Sequence, residues 1–192
     1  MRALTYLVAT TVDGFIADPD GGFGAFPVVG DHIEMLIDQY PDTLPAPARA
    51  VLGIDAPNPT FDTVVMGWNT YAAGLPDVTD PYPHLRQFVF SRSRTSRDVP
   101  EGIVVTADRP VDVVQALKAA PSEKDIWLCG GGQLATALLP EIDRLVVKVN
   151  PLVFGVGIPM FAGAGYRDRQ FVLTSSSAFT SGVVVNTYDR AQ

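Results

Sequence analysis

Ile126-Trp127-Leu128-Cys129-Gly130-Gly131-Gly132-Gln133-Leu134 is the stretch on which the reading of this chain turns. An apolar run that enters three glycines and leaves into helix formers predicts a buried strand, a tight turn and a helix over 133–139. Glycine lets backbone approach a ligand closely, and the unpaired N–H groups of a helix start favour an anion. The natural occupant of such a junction is a pyrophosphate. The string from Gly130 to Ala135 also fits G-x-G-x-x-A. A Rossmann site, however, sits on the first strand–helix unit, with an acid about 20 residues later at the end of the next strand. Here the motif comes late, and Glu141 and Asp143 precede the next strand. The competing reading is a glycine turn that serves only tight packing of strand on helix.

Outward from that junction, strands alternate with helices. Residues 61–66 (FDTVVM), 86–91 (RQFVFS), 102–106 (GIVVT), 125–129 (DIWLC) and 145–149 read as strands. Short helices are expected after Gly67, over 111–119 with Val113, Val114 and Leu117, and over 133–139. This alternation implies right-handed crossovers and a mostly parallel sheet. Residues 4–12 form a first strand ended by Asp13-Gly14. Residues 170–178 and 182–189, turned at Ser181-Gly182, form a hairpin that makes the C-terminal edge antiparallel. Residues 18–30, with Asp18-Pro19-Asp20-Gly21-Gly22, Gly24 and Gly30, read as a long mobile loop of the kind that serves as a lid. A helix begins at Asp31, carries Ile33, Leu36, Ile37 and Tyr40, and stops at Pro41. A further short helix is expected near 46–53 and loop over 74–84. The fold class is therefore α/β, and no linker divides residues 1–192 into more than one domain.

Composition narrows the function. The chain is 47% hydrophobic and 18% charged, which suits a globular core and argues against disorder. A net charge of −7 argues against nucleic acid as the main partner, while leaving room for a small anion held by one or two arginines. With one cysteine no intrachain disulfide forms, and with two histidines a zinc site lacks ligands, so no metal is expected. Residues 1–12 contain Thr5, Thr10 and Thr11 and read as a strand rather than a signal peptide. No apolar run reaches about 18 residues, so no membrane span is expected and the setting is cytoplasmic.

Other candidate site elements fall at predicted strand ends. Val65-Met66-Gly67-Trp68-Asn69-Thr70-Tyr71 is a second strand–glycine–helix junction, and ligands of open parallel sheets bind at the carboxyl ends of strands. Thr70 either meets a phosphate or caps its own helix. Phe90-Ser91-Arg92-Ser93-Arg94 offers hydroxyls and guanidinium groups that suit a phosphomonoester, or is an ordinary solvated loop. Asp31 and Glu34 form a D-x-x-E capping box; alternatively, a carboxylate on this helix faces the substrate and gives a proton. Asp13-Gly14 is a turn, and it ends the first strand at the same edge as the glycines. Trp68, Trp127 and Cys129 read as packing residues, and His32 and His84 stand in no catalytic pattern.

Taken in order, Thr11-Val12-Asp13-Gly14-Phe15-Ile16-Ala17, Val65 to Tyr71, Val89-Phe90-Ser91-Arg92, Trp127 to Leu134 and Val149-Asn150-Pro151 resemble the C-terminal reductase domain of bacterial riboflavin biosynthesis, a relative of dihydrofolate reductase. The resemblance implies a three-layer α/β/α sandwich, dihydrofolate reductase-like, often dimeric, with NADPH as hydride donor. It implies that Gly67, Asn69 and Thr70 hold the cofactor phosphates and that Ser91 and Arg92 lie near the adenosine 2′-phosphate. Gly130, Gly131, Gly132, Gln133 and Leu134 would line the pyrophosphate and nicotinamide side. Asp13, Gly14 and Ile16 would border the nicotinamide, and Asp31 matches the acid on the first helix. One departure stands out. The family pattern M-G-R-x-T has arginine where this chain has Trp68. That removes a charged contact worth about 1.5–3 kcal/mol, which Arg92 or Arg94 would have to supply, and leaves Trp68 to stack on adenine.

What the resemblance implies is an NADPH-dependent reductase that transfers hydride to a small heterocycle such as 5-amino-6-(5-phosphoribosylamino)uracil. The P-C-x-x-C string of a zinc deaminase is absent from these 192 residues, whose one cysteine is Cys129. Two alternatives stand beside it: reduction of dihydrofolate, which needs an acid such as Asp31 facing the pterin, and a nucleotide-binding protein without catalysis.

Overall fold

The computed structural model describes residues 1–55, 57–163 and 168–191. Its centre is an eight-stranded sheet. The strands are β1 (Leu4–Thr10), β3 (Phe61–Gly67), β4 (Arg86–Phe90), β5 (Ile103–Thr106), β6 (Asp125–Gly130), β7 (Arg144–Val149), β9 (Phe171–Ala178) and β10 (Val184–Arg190), in the order β5-β4-β3-β6-β1-β7-β10-β9. The first six neighbours run parallel. β10 pairs antiparallel with β7 and β9 antiparallel with β10, as the hairpin reading expects. The parallel strands are apolar almost throughout because both faces of the sheet are covered.

Alternate residues divide between two cores. Leu4, Tyr6 and Val8 of β1 pack with Val114 and Leu117 of α4 (Pro110–Ala119) and with Leu134 and Leu138 of α5 (Gly132–Leu138). Leu7 of the same strand joins Trp127, Val146 and Val185 on the other face, where α1 (Asp31–Gln39) supplies Met35 and α3 (Trp68–Ala72) supplies Trp68 and Tyr71. The result is the expected three-layer α/β/α sandwich. A short α2 (Ala46–Leu52), with no fully buried residue, lies before β3. No helix among the described residues is long and apolar enough to cross a membrane.

The strand starts are stitched by charge. Arg2, 5% exposed, pairs with Asp62 at the start of β3, donates to Thr63 Oγ1 at 3.0 Å and to the Lys124 carbonyl at 2.8 Å. Asp143, just before β7, takes Lys118 at 2.6 Å, Arg190 at 2.7 Å and the Leu4 amide at 2.8 Å. These bonds fix the amino edge of the sheet and leave the carboxyl edge to other uses.

Three sequence expectations need correction. The first strand ends at Thr10 rather than Val12, because the Thr11 amide turns back to the Phe15 carbonyl at 2.9 Å. The chain then forms a second, two-stranded antiparallel sheet from β2 (Phe15–Ala17) and β8 (Ile158–Pro159), which the hydrophobic pattern did not announce. Gly157 permits it, since a Cβ there would lie 2.4 Å from the Ala17 carbonyl oxygen. Finally, Asp31 and Glu34 form no capping box. The N-cap is Gly30, at φ 127°, and Asp31 is already the first residue of the helix, so its carboxylate is free to bind elsewhere.

Replacing Arg2 with Met leaves Asp62 without its buried partner. We expect Arg2→Met to unfold with about 3 kcal/mol less free energy in urea at an unchanged m value. A loss below about 1 kcal/mol would remove this pair from the account of the amino edge.

Candidate functional site

At the carboxyl edge two strand–glycine–helix junctions meet. A Cβ built on Gly67, at the end of β3, would lie 3.8 Å from the Gly131 nitrogen and 3.9 Å from the Gly130 oxygen. Cβ atoms built on Gly130 and Gly131 would lie 3.6 and 3.5 Å from Thr70 Oγ1. Gly130 has φ +140°, which disfavours any side chain, and the Gly130–Gly131 peptide is cis. The result is a cradle of bare backbone facing one hydroxyl, in space that side chains would otherwise fill. The Thr70 hydroxyl itself has no hydrogen-bond partner among the described residues. Asn69 is exposed beside it on α3.

The rest of the glycine stretch is divided in purpose. Gly132 is buried, its carbonyl accepts from the Ala162 amide at 3.1 Å, and a Cβ on it would stand 2.2 Å from the Pro159 oxygen. Leu134 is 7% exposed within the core. Gln133, between them, is exposed in the first turn of α5.

The turn after β4 adds cations to the same edge. The Ser91 hydroxyl oxygen accepts from the Ser93 amide at 3.3 Å and the Arg94 amide at 3.0 Å, which folds residues 91–94 back on themselves. Arg92 is exposed and has no ion-pair partner among the described residues. Arg94 lies over the Trp68 ring, 5.2 Å from its centroid, and Trp68 rests against Tyr71 at 5.3 Å. Trp68 therefore carries a guanidinium on its face, not an open surface for adenine. Arg94 also lies 3.8 Å from Asp98, a solvated pair of little weight.

Asp13 and Gly14 shape the first turn. The Thr11 hydroxyl donates to Asp13 at 2.5 Å and accepts from the Phe15 amide at 3.0 Å. Asp13 in turn accepts from the Phe154 and Gly155 amides at 3.2 and 2.7 Å. The Thr11 hydroxyl and then these amides hold its carboxyl below the usual range. Gly14, at φ +85°, accepts from the Met160 amide at 2.9 Å, and Ile16 packs half-buried against the core under α4 and α5. Phe26 of the 18–30 loop leans on Phe154, with centroids 5.7 Å apart.

Asp31 is placed at this edge, and its carboxylate is engaged there. It accepts from the Thr180 amide at 2.7 Å, the Thr180 hydroxyl at 2.9 Å and the Ser181 amide at 3.3 Å. Those bonds, the Thr180 amide first, bring its carboxyl down to about 2. The adjacent His32, buried, meets Ser181 Oγ at 2.9 Å. Asp13 and Asp31 are thus ionised at neutral pH and hold loops at the site. Cys129 is no nucleophile either: burial pushes its thiol up to about 12. No group of three or more His, Cys, Asp or Glu among the described residues is placed to hold a metal.

Sequence reasoning missed the segment 154–162, which ties the first turn to the glycine stretch through Asp13, Gly14 and Gly132. Its signal was present in Gly155-x-Gly157-x-Pro159, where Gly155 turns at φ +71° and Gly157 makes the close approach. A broad cleft of about 780 Å³ lies at the opposite edge, lined by Arg49, Asn58, His84 and Lys124 among others. Three of its side chains are spent on protein carbonyls: Lys124 on Asn58, Asn58 on His84, His84 on Asp42.

Two outcomes test this placement. Gly132→Ala forces Cβ against the Pro159 carbonyl and should cost about 1–3 kcal/mol in a denaturant melt. Asp31 stabilises the fold above its ordinary value of 3.8, and that contribution is lost as pH falls through about 2. The melting temperature of Asp31→Asn should therefore lie below wild type by a constant margin near neutrality, and the gap should close in acid. A gap independent of pH would remove the Asp31–Thr180 bond from the account.

A family model described as the RibD C-terminal domain matches residues 2–185. YyaP, an uncharacterised protein of Bacillus subtilis (strain 168), is 32% identical over 105 residues, which span 54% of each chain, so the match covers about half of that relative. Among solved structures, a putative riboflavin biosynthesis protein from Shewanella sp. PV-4 superposes with a TM-score of 0.72 at 24% identity, over the whole of both chains. RibD of Acinetobacter baumannii gives a TM-score of 0.66 at 16% identity, over all of this chain and 58% of that one. These likenesses establish the fold.

Proposed function

This chain belongs to the RibD C-terminal domain family, and on that footing we propose that it is an NADPH-dependent reductase of a small heterocycle bearing a C=N or C=O group, of the type of 5-amino-6-(5-phosphoribosylamino)uracil. The observation that carries the reading is the backbone cradle of Gly67, Gly130 and Gly131 facing the unpartnered Thr70 hydroxyl. A pyrophosphate needs donors close at hand and no side chain in the way, and the cradle supplies both conditions.

When bound, NADPH supplies a hydride from its nicotinamide ring. In this reading Gly67, Asn69, Thr70, Gly130 and Gly131 hold its phosphates, and Gly132, Gln133 and Leu134 shape the turn beneath them. Ser91 and Arg92 lie toward the 2′-phosphate. Arg94, seated on Trp68, restores the cation that the M-G-R-x-T pattern carries one strand away. Asp13, Gly14 and Ile16 border the nicotinamide, with Asp13 fixing the 154–155 loop as a wall. The carboxylate of Asp31 serves the same purpose at residues 180–181, which favours this reading over dihydrofolate reduction by an acid on the first helix. With the reading go a cytoplasmic setting and a homodimer, as the family resemblance implies.

Titration with NADPH and NADH, followed by nicotinamide fluorescence and thermal melting, tests it. At 100 times its dissociation constant NADPH should stabilise the protein by about 2.7 kcal/mol, and NADH less. Gly67→Ala should keep wild-type stability, since its Cβ meets nothing nearer than 3.8 Å. It should nevertheless bind NADPH about tenfold more weakly or worse, because the methyl group enters the cradle. Binding of neither nucleotide would leave the fold and overturn the function.

A further inference from the structure

A reductase that adds hydride to a C=N or C=O group must also deliver a proton, and Asp13 and Asp31 are ionised and engaged. Lys148 meets the requirement. It is the last residue but one of β7, in register with Ala9 of β1 on one side and Val185 of β10 on the other. Its side chain leaves the sheet on the face of Leu7, Val146 and Val185, the face covered by α1 and α3. Asn150, buried just beyond it, donates to the Lys148 carbonyl at 3.0 Å and the Thr10 carbonyl at 3.1 Å, which pins these two strand ends together at the carboxyl edge.

Lys148 is half-buried and, among the described residues, has neither a hydrogen-bond acceptor nor a carboxylate. Other cations drawn into the fold are matched: Arg2 by Asp62, Lys118 by Asp143, Arg144 by Asp189, Arg190 by Asp143. The ionisable groups facing it are few. Cys129 of β6 is kept neutral by burial, and Tyr82, 4.0 Å from that thiol, is pushed up by burial too. On α1, Asp31 and His32 are bound to residues 180–181, and Glu34 and Asp38 are exposed. A partly desolvated ammonium without an acceptor is completed by a ligand that brings one.

Resting on the reductase reading, we propose that Lys148 is a catalytic residue: its ammonium binds the heteroatom of the substrate's C=N or C=O group and protonates it. As the substrate carbon gains a hydride, the π pair of the double bond moves onto the heteroatom. Lys148 Nζ gives that atom a proton, is left as a neutral amine and takes a proton back from water; the substrate is reduced by two electrons and the nicotinamide of NADPH oxidised by two. Burial brings the Lys148 ammonium down to about 8, which suits a donor that must also be recharged near neutrality.

The test compares wild type, Lys148→Met and Lys148→Arg in NADPH affinity, melting temperature and NADPH consumption with 5-amino-6-(5-phosphoribosylamino)uracil. Lys148→Met should bind NADPH within about twofold of wild type and lose about 100-fold or more in kcat. It should melt at or above wild type, because it removes an unpartnered ammonium. The wild-type rate should fall as pH rises through about 8. Lys148→Arg, which keeps the charge but does not release a proton, should stay slow. Wild-type turnover in Lys148→Met overturns the proposal alone, as does a Lys148→Met that melts lower and loses NADPH in step with activity. A wild-type protein that binds no NADPH overturns the reductase reading beneath it.

Discussion

Six parallel strands must all end at one edge of the sheet, because right-handed crossovers return each strand to the same starting side. Everything that follows those strands is therefore brought into a row, whatever its distance in sequence. Gly67 and Gly130 are far apart along the chain, yet adjacent strands set them backbone to backbone. Gly130, at φ +140°, disfavours any side chain, and a Cβ on Gly67 would fit at 3.8 Å from the Gly131 nitrogen but would fill the open space between the two junctions. The surface of bare backbone is thus a consequence of topology plus the absence of Cβ atoms.

The two edges are built on opposite principles. At the amino edge, buried or half-buried charges are paired: Arg2 with Asp62, and Lys118 and Arg190 with Asp143. Such pairs add little net energy over an apolar replacement, but breaking one is costly, so they fix the strand starts in place. At the carboxyl edge the carboxylates serve loops instead. Asp13 fastens residues 154–155 and Asp31 fastens residues 180–181, each by accepting amide hydrogens. Among the described residues, Lys148 has no partner there and the Thr70 hydroxyl is free.

Much of this was legible beforehand. The apolar runs at 61–66 and 125–129 and the glycines after them place both junctions, since a buried parallel strand and a glycine turn each leave a local mark. The C-terminal hairpin was legible for the same reason, with Gly182 at φ 82° in its turn. What escaped depends on contacts between distant residues. The β2–β8 ribbon has only five residues and no periodicity to show. The D-x-x-E string marks a cap by local rules, but Thr180 and Ser181, about 150 positions away, claim the carboxylate. Trp68 looked like a lost charge, and only the fold shows Arg94 resting on its face.

On the proposed reading the nucleotide binds the glycine cradle at the carboxyl edge and not the cleft at the amino edge. An amide chemical-shift map of isotope-labelled protein with and without NADPH addresses it directly. The account predicts shifts concentrated at Gly14, Gly67, Thr70, Gly130 and Gly131, with the amides of Arg49, Asn58 and Lys124 unmoved. Shifts gathered around Arg49, Asn58 and Lys124, with the glycine junctions silent, would contradict it.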